Sequence, residues 1–157
     1  MSANKPIKRS PELIPLSREH HDGLLFTWKI KRGLKNGTSM DKLRKYSLWF
    51  WKEHIKPHFF QEEMILLPLI PTNNPMAVQL KNEHAQIREL VLGLDKEADR
   101  EIFVILCDLL ERHIRWEERE FFVFLEQSLA EEQLAEVHRK LEEHPVSCGV
   151  WEDEFWN

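Results

Sequence analysis

The chain has 157 residues, of which 42% are hydrophobic and 31% are charged, and its formal net charge is -5. This balance is typical of one globular domain with its own core and excludes a globally disordered chain. The negative charge gives no electrostatic reason to expect nucleic acid as a partner. No apolar run approaches the ~20 residues that cross a bilayer, and the N-terminus lacks the apolar segment of a signal peptide. We therefore predict a single domain over residues 1–157, located in the cytoplasm, with no membrane partner.

The first half of the chain predicts two helices. With only 5 glycines, the sequence has little turn chemistry, which favours helices over many short strands. The first helix is expected to begin at Ser17 and to end near Asn36-Gly37. The second is expected to run from Ser39 to the loop PLIPTNNP. Pro57 lies inside it and predicts a kink, because proline removes a backbone hydrogen bond from a helix.

The second half predicts two more long helices and a short one. The third is expected from Pro75 to Leu94 and the fourth from Asp99 to Glu126, and the Ser128 to Glu131 pattern predicts the start of the short one. Four long helices with short connections favour an all-α, antiparallel up-down four-helix bundle. Its core is expected at about 16–126, followed by a short extra C-terminal helix and a tryptophan-containing tail at 127–157. Whether the tail docks on the bundle or on a partner stays open.

Two histidine-glutamate pairs carry the chemical signal of the sequence. His58 and Glu62 are four residues apart, as are His113 and Glu117, and this spacing places both members on one helical face. Both faces are otherwise apolar, which predicts that the pairs point into the core. His84 on the third helix also shares its face with apolar residues.

The first helix offers two adjacent histidines, His20 and His21. Either could point inward, and His21 is preferred because Leu24 and Trp28 lie on its face. Four imidazoles and two carboxylates in a small core cost free energy unless each is paired, and no lysine or arginine occupies the inward positions. Metal ions would satisfy all six. Imidazole with carboxylate suits iron, manganese or zinc, and the lack of thiolates argues against a structural zinc finger.

The stretches REHHDGL, HFFQEE, NEHAQIREL and HIRWEERE resemble the hemerythrin-like (HHE cation-binding) domains, and the resemblance spans residues 16 to about 125. It implies a four-helix bundle that holds two iron ions joined by an oxo (Fe-O-Fe) or hydroxo bridge. It also implies that Glu62 and Glu117 bridge the ions. The terminal ligands implied are His21, His58, His84 and His113. In that family the diiron centre binds dioxygen reversibly, or senses oxygen, nitric oxide or iron.

The sequence differs from the oxygen-carrying hemerythrins at two helices. Their third helix carries two histidines four residues apart, whereas here Leu80 and Arg88 stand at that spacing from His84. Their fourth helix carries an aspartate five residues after its histidine, whereas here Glu117 stands four residues after. One histidine is therefore missing, and Glu63, Glu118 or water is the candidate replacement donor. Sensing, iron handling or small redox chemistry becomes a better expectation than simple oxygen carriage.

Metal-bound imidazoles also need partners that orient them, and Tyr46 and Glu83 are candidates. Three functions remain open. The favoured one is a diiron protein, also able to take other divalent metals, that binds or senses dioxygen or another small diatomic ligand or serves iron homeostasis. The others are a diiron oxidoreductase that reduces peroxide or oxygen, and a metal-free helical interaction module. The sequence contains no added catalytic group, so no catalytic residue is assigned and binding is favoured over turnover.

Overall fold

The computed structural model describes residues 8–147 and 149–157, and within these ranges the chain is all-α, with no strand. The helices are α1 (Ile14–Lys35), α2 (Met40–Phe50), α3 (Lys56–Gln61), α4 (Pro75–Gly93), α5 (Arg100–Trp116), α6 (Phe122–Ser128) and α7 (Glu131–Glu143). Several of them join without a break through the turns between them, so this part of the chain forms five helical runs, at 11–35, 40–69, 75–93, 100–128 and 131–143. None of its helices is long and apolar enough to cross a membrane.

Three wide π-helical turns interrupt the long runs. Trp51–Ile55 joins α2 to α3, Glu62–Leu66 follows α3, and Glu117–Phe121 joins α5 to α6. The first of them precedes Pro57, and the helical backbone continues through this proline to a 3-10 turn at Leu67–Leu69. In the region of the predicted kink the backbone therefore changes from α-helix to a π-helical turn and back, and the helical run does not break there. Isolated π turns of this kind are frequent at functional sites.

Local capping chemistry explains where most helices begin. Side-chain oxygens of Ser39, Asn74 and Asp99 accept hydrogen bonds from backbone amides in the first turns of α2, α4 and α5. Pro75 is the first residue of α4, where its missing N–H is not needed. The predicted starts of these three helices are confirmed.

Two other predicted starts are wrong. Helix α1 begins before Ser17, because the turn at Pro11–Leu13 runs directly into it. Ser128, which was expected to open a capping box, ends α6 instead. Helix α7 begins at Glu131, and the backbone N–H of Ala130, directly before it, donates to the side chain of Gln133 in its first turn at 2.9 Å.

The buried apolar side chains form two clusters. The first contains Phe26, Phe50 and most of the buried residues of α2 and α5, and the second contains Leu16, Leu66 and the buried residues of α6 and α7. Helix α1 packs against α5, α5 packs against α4, and α2 contacts both α1 and α4. Between the two clusters lies a layer of buried polar side chains, and each of the four longest runs contributes to it.

The tail at 149–157 lies on the first cluster, against which Trp151, Phe155 and Trp156 pack. The Asn36 side-chain amide donates to the carbonyl oxygen of Phe155 at 3.1 Å. A Cβ at Gly33 would lie 2.8 Å from Cδ1 of Phe155, so the close approach of the tail to α1 requires a glycine there. The tail therefore docks on the helices of its own chain.

Candidate metal centre

Six buried side chains from the four longest helical runs meet in the polar layer. They are His20, His58, Glu62, His84, His113 and Glu117. Their donor atoms form two groups, and within each group the atoms lie within 4.8 Å of one another. His20 and His58 belong to one group and His84 and His113 to the other, whereas the two glutamates belong to both. The arrangement offers two adjacent positions for a metal ion with two carboxylates between them.

Five of the six predicted donors are brought together, and the first-helix donor is corrected from His21 to His20. His20 is 4% exposed, and its Nε2 lies 3.4 Å from Oε1 of Glu117, whereas His21 is exposed. The prediction relied on an apolar face that includes Trp28, but Trp28 is 51% exposed. An exposed aromatic residue therefore gave α1 a misleading apolar face.

The histidines approach the shared carboxylates through their Nε2 atoms. Nε2 of His113 lies 2.6 Å from Oε1 of Glu117, one turn along the same helical run. Nε2 of His58 lies 3.4 Å from Oε2 of Glu62, and Nε2 of His84 lies 3.1 Å from Oε1 of the same residue. The predicted i, i+4 pairs therefore lie side by side, and the third-helix histidine joins them.

Each Nδ1 atom, on the outer side of its imidazole, contacts a second glutamate. The pairs are His20 with Glu118 at 2.6 Å, His58 with Glu19 at 2.6 Å, His84 with Glu63 at 2.7 Å, and His113 with Glu83 at 2.6 Å. A carboxylate can only accept, so each Nδ1 carries a proton, and in the neutral form of each imidazole the lone pair is then on Nε2, towards the centre. This is the tautomer that binds a metal ion through Nε2.

The outer contacts link the four runs in a closed ring. Glutamates of α1, the π turn after α3, α4 and the π turn after α5 each contact a histidine of the next run, and the last returns to α1. Each outer glutamate also follows or precedes an inner donor directly in the sequence, as Glu83 precedes His84. In the sequence, this adjacency of a glutamate to an inner donor is the feature that indicates the ring.

Three sequence predictions concern residues around the six donors. Glu83, a candidate for orienting an imidazole, does contact His113. Glu63 and Glu118 were candidates for a replacement donor, but both contact Nδ1 atoms and lie outside the two donor groups. Tyr46, the other orienting candidate, packs among aromatic rings such as Phe50.

Several donor atoms in this layer are buried and make no hydrogen bond within the described part of the chain. They are Nε2 of His20, His58 and His113, Oε2 of Glu62, and both carboxylate oxygens of Glu117. These atoms contact only one another, as Nε2 of His113 contacts Oε1 of Glu117, and burying them without well-formed hydrogen bonds costs free energy, more for a charged carboxylate than for a neutral group. A cation in the layer would meet both demands, and the nitrogen and oxygen donors suit iron, manganese or zinc.

The electrostatics of the layer favour positive charge. Burial lowers the pKa of His58 and His113, but the attraction of Glu62 and Glu117 outweighs it and raises each pKa to about 9. Burial raises the pKa of Glu62, yet the charge of His58 and the contacts with neighbouring side chains hold it well below its usual range. The carboxylates therefore draw protons onto the imidazoles, and a metal ion would compete with those protons for the same nitrogens.

Both shared glutamates open a π-helical turn. The amide of Leu67 donates to the carbonyl of Glu62, and the amide of Phe122 donates to the carbonyl of Glu117, five residues back in each case. A π turn rotates the following residues relative to an α-helix, so the donors before it and the apolar residues after it can both face the core. The spacing rules of a regular helix do not predict this turn.

A small cavity lies beside the donors. It has a volume of about 10 Å³ and is lined by His20, His58, His113 and apolar residues that include Gly23 and Ile114. A Cβ at Gly23 would lie 2.9 Å from Cδ1 of Ile114, so this side of the cavity has no room for a larger residue without movement. The space accepts about one water-sized molecule.

Comparison with known proteins gives no relative: no family model matches the chain, and no curated protein or solved structure is significantly similar to it. What the chain does is therefore to be judged from the chemistry of the site itself.

Proposed function

We propose that the chain is a non-heme diiron protein of the hemerythrin-like type. The observation that carries the proposal is the meeting of six buried donors in two groups that share Glu62 and Glu117. Proteins build dinuclear sites in helix bundles with the same residue types, projected inward from facing helices. Iron is proposed as the native metal because the donor set suits it and because the four motifs resemble that family.

The proposal includes an antiparallel up-down four-helix bundle. Its support is the order in which the runs cross the polar layer. In α1, Leu16 of the second cluster comes before His20 and Phe26 of the first cluster comes after it; the next run crosses from the first cluster to the second. The remaining two runs repeat this alternation. Successive runs that cross in opposite directions are what an up-down connection requires.

In the proposed centre Glu62 and Glu117, which belong to both donor groups, would bridge two metal ions. His20 and His58 complete one position and His84 and His113 the other, following the two donor groups. The outer glutamates hold the Nδ1 protons and fix the imidazole planes, which also makes each Nε2 more basic. When bound, the ions would supply Lewis acidity and redox chemistry towards a small ligand.

The proposed ligand is a diatomic molecule such as dioxygen or nitric oxide, bound or sensed at the centre. The cavity of about 10 Å³, which accepts about one water-sized molecule, supports a ligand of this size. Four histidines, in place of the five of the oxygen carriers, would leave room among the donors for such a ligand at a bound ion. A role in iron homeostasis would use the same donors. Measured affinities for iron and for the diatomic ligands would distinguish this role from sensing.

Two other functions make different predictions about the same site. A diiron oxidoreductase would turn over peroxide or oxygen at this centre, and steady consumption by the iron-loaded protein would favour it. A metal-free interaction module would leave the six donors buried with only one another as partners, and the free-energy cost of taking those charges out of water disfavours it.

The test is metal content by elemental mass spectrometry, on protein purified without an affinity metal or a chelator. The expected result is two irons per chain in the native protein and loss of both in a Glu62→Ala, Glu117→Ala double variant. Glu120→Ala is the matched control, because Glu120 is exposed on the same π turn as Glu117. Stoichiometric metal in the double variant would contradict the bridging assignment. No metal after reconstitution with iron would overturn the diiron proposal.

A further inference from the structure

One of the four outer glutamates differs from the other three in its partners. Glu118, whose Oε2 contacts Nδ1 of His20, also pairs with a guanidinium group, because Nη2 of Arg9 lies 3.4 Å from its Oε1. Among the residues described, the other three outer glutamates form no ion pair with a lysine or an arginine. The ring around the donors is therefore uneven, and the additional charge lies beside His20.

The guanidinium group of Arg9 contacts three residues of the last long helical run. Its Nη1 donates to Oε1 of Glu126 at 2.8 Å, and its Nη2 donates to the backbone carbonyl of Glu118. Its central carbon lies 5.2 Å from the ring centroid of Phe122, in a cation-π contact. The side chain is 7% exposed, so water screens these contacts little. The planar fork of an arginine can make them together, whereas a lysine has a single ammonium group.

Phe122 gives Arg9 a second connection to His20. The ring of Phe122 stacks on the imidazole of His20, with the centroids 5.2 Å apart and the planes 10° apart. Arg9 therefore contacts both groups that orient this imidazole, namely the carboxylate that accepts from Nδ1 and the ring that lies along its face. A change at Arg9 would reach His20 through both of them.

Arg9 belongs to a short segment, residues 8–13, that precedes α1. The backbone amide of Ser10 donates to Oε2 of Glu126 at 2.5 Å, and Leu13 is fully buried in the second apolar cluster. The turn formed by the last three residues of the segment packs against α7. These anchors fix the backbone on either side of the guanidinium contacts, so the place of Arg9 depends on the docking of the whole segment.

We propose that Arg9 is a positioning residue for His20 and that it makes the two metal positions of the centre unequal. The inference rests on the proposed diiron centre. The position formed with His20 and His58, called the first position, depends on the docked segment at residues 8–13. Arg9 touches no metal ion itself and acts through Glu118 and Phe122.

The second position, formed with His84 and His113, lacks this support. Its histidines are oriented by Glu63 and Glu83, which form no ion pair with Arg9 within the described part of the chain. Loss of the guanidinium group is therefore expected to weaken the first position alone. A general loss of stability would weaken both positions alike, so the two explanations are distinguishable.

The test is a titration of the metal-free full chain with zinc, a diamagnetic ion that suits nitrogen and oxygen donors, followed through the imidazole signals in nuclear magnetic resonance spectra. Arg9→Gln should weaken zinc binding at the first position by about tenfold and leave the second position unchanged. Arg9→Lys keeps the charge without the fork, so it should weaken the first position by a smaller factor. Arg139→Gln is the matched control, because Arg139 is exposed and its ion partners lie on α7 with it.

A second measurement needs no metal. In the metal-free chain the Nδ1 proton of His20 should exchange with solvent about two- to tenfold faster in Arg9→Gln than in the unchanged protein, and the Nδ1 proton of His113 should exchange at the same rate. Equal changes in zinc affinity at both positions, or unchanged exchange at His20 in folded Arg9→Gln protein, would overturn the proposal. If Arg9→Gln folds poorly, Arg9→Lys takes its place in both measurements. A chain that takes up no zinc would contradict the metal centre, and the exchange rates would still decide whether Arg9 positions His20.

Discussion

Glu118 and His20 join the last of the four longest helical runs to the first, with Oε2 of the glutamate 2.6 Å from Nδ1 of the histidine. This contact completes the ring of four glutamate-histidine pairs around the donors. Ser17 supports it from α1, because its hydroxyl donates to the same carboxylate oxygen at 2.8 Å. The orientation of each imidazole therefore depends on a residue of a neighbouring run.

Replacing one outer glutamate should weaken metal binding without removing a ligand. In Glu83→Gln, the carboxylate that contacts Nδ1 of His113 becomes neutral, so the imidazole is less well oriented and less basic. The expected loss of metal affinity is about 10- to 100-fold, measured by competition with a chelator of known affinity. Glu89→Gln, an exposed position on the same helix, is the control and should bind as tightly as the native chain. Equal affinity in the two variants would count against an orienting role for Glu83.

The stability of the metal-free protein should fall as the pH rises from about 6.5 to about 9. The pKa of His58 and of His113 is raised to about 9 in the folded chain, against 6.5 in the unfolded chain. A group with a raised folded pKa stabilises the fold fully below the unfolded pKa and loses that contribution as the pH rises through the folded pKa. Urea unfolding at a series of pH values measures the slope.

Metal binding should become tighter over the same pH interval, because fewer protons occupy the imidazoles. The stability of the metal-loaded chain should accordingly show the opposite trend, or none. His58→Gln removes one titrating group and should reduce the slope of the metal-free protein. A metal-free chain that is equally stable at both ends of the interval would refute the electrostatic account of the layer.

Gly23→Ala should weaken the binding of a diatomic ligand while the metal content stays the same. The added Cβ would lie 2.9 Å from Cδ1 of Ile114, and both residues line the small cavity, so the added methyl group and the shift of Ile114 that it forces are expected to change the space beside the donors. A stability cost of about 1 kcal/mol is expected from the crowding. Nitric oxide titration of iron-loaded protein measures the affinity. Gly93→Ala is the control, since nothing lies within 4 Å of a Cβ there. Equal nitric oxide affinities in the two variants would show that the space at Gly23 does not limit ligand binding.

Gly33→Ala should loosen the C-terminal tail. Its Cβ would lie 2.7 Å from Cδ2 of Leu43 and 2.8 Å from Cδ1 of Phe155, and the second contact belongs to the tail. A loss of about 1 to 3 kcal/mol of stability is expected, together with faster proteolysis within residues 149–157. The same Gly93→Ala variant serves as the reference, and a tail equally resistant to protease in both would show that Gly33 does not limit its docking.

Features that depend on neighbouring residues in the sequence could be predicted. Ser39 and Pro75 mark helix starts because capping is a local interaction, and the pair His113 and Glu117 follows from one turn of helix. The choice between His20 and His21 could not be made in this way. It depends on which side of α1 meets the other runs, and the exposed Trp28 obscured that side.

The outer ring could not be predicted for a different reason. Each of its contacts joins two helical runs, and the partners Glu118 and His20 lie far apart in the sequence. Periodicity along one helix says nothing about the rotation of its neighbour. Glu63 illustrates the limit, since it stands beside the inner Glu62 and still faces His84 on another run.

The separation of the apolar core into two clusters has a consequence for cooperativity. The clusters meet through the polar layer, and within the described chain the six donors occupy much of that boundary. In the metal-free state several buried donor atoms there make no hydrogen bond within the described residues, which weakens the coupling between the end that holds α7 and the end that holds the tail. We expect amide hydrogen exchange to reveal two opening units without metal and a single one with metal. Metal binding would then determine whether the domain unfolds as one cooperative unit or as two.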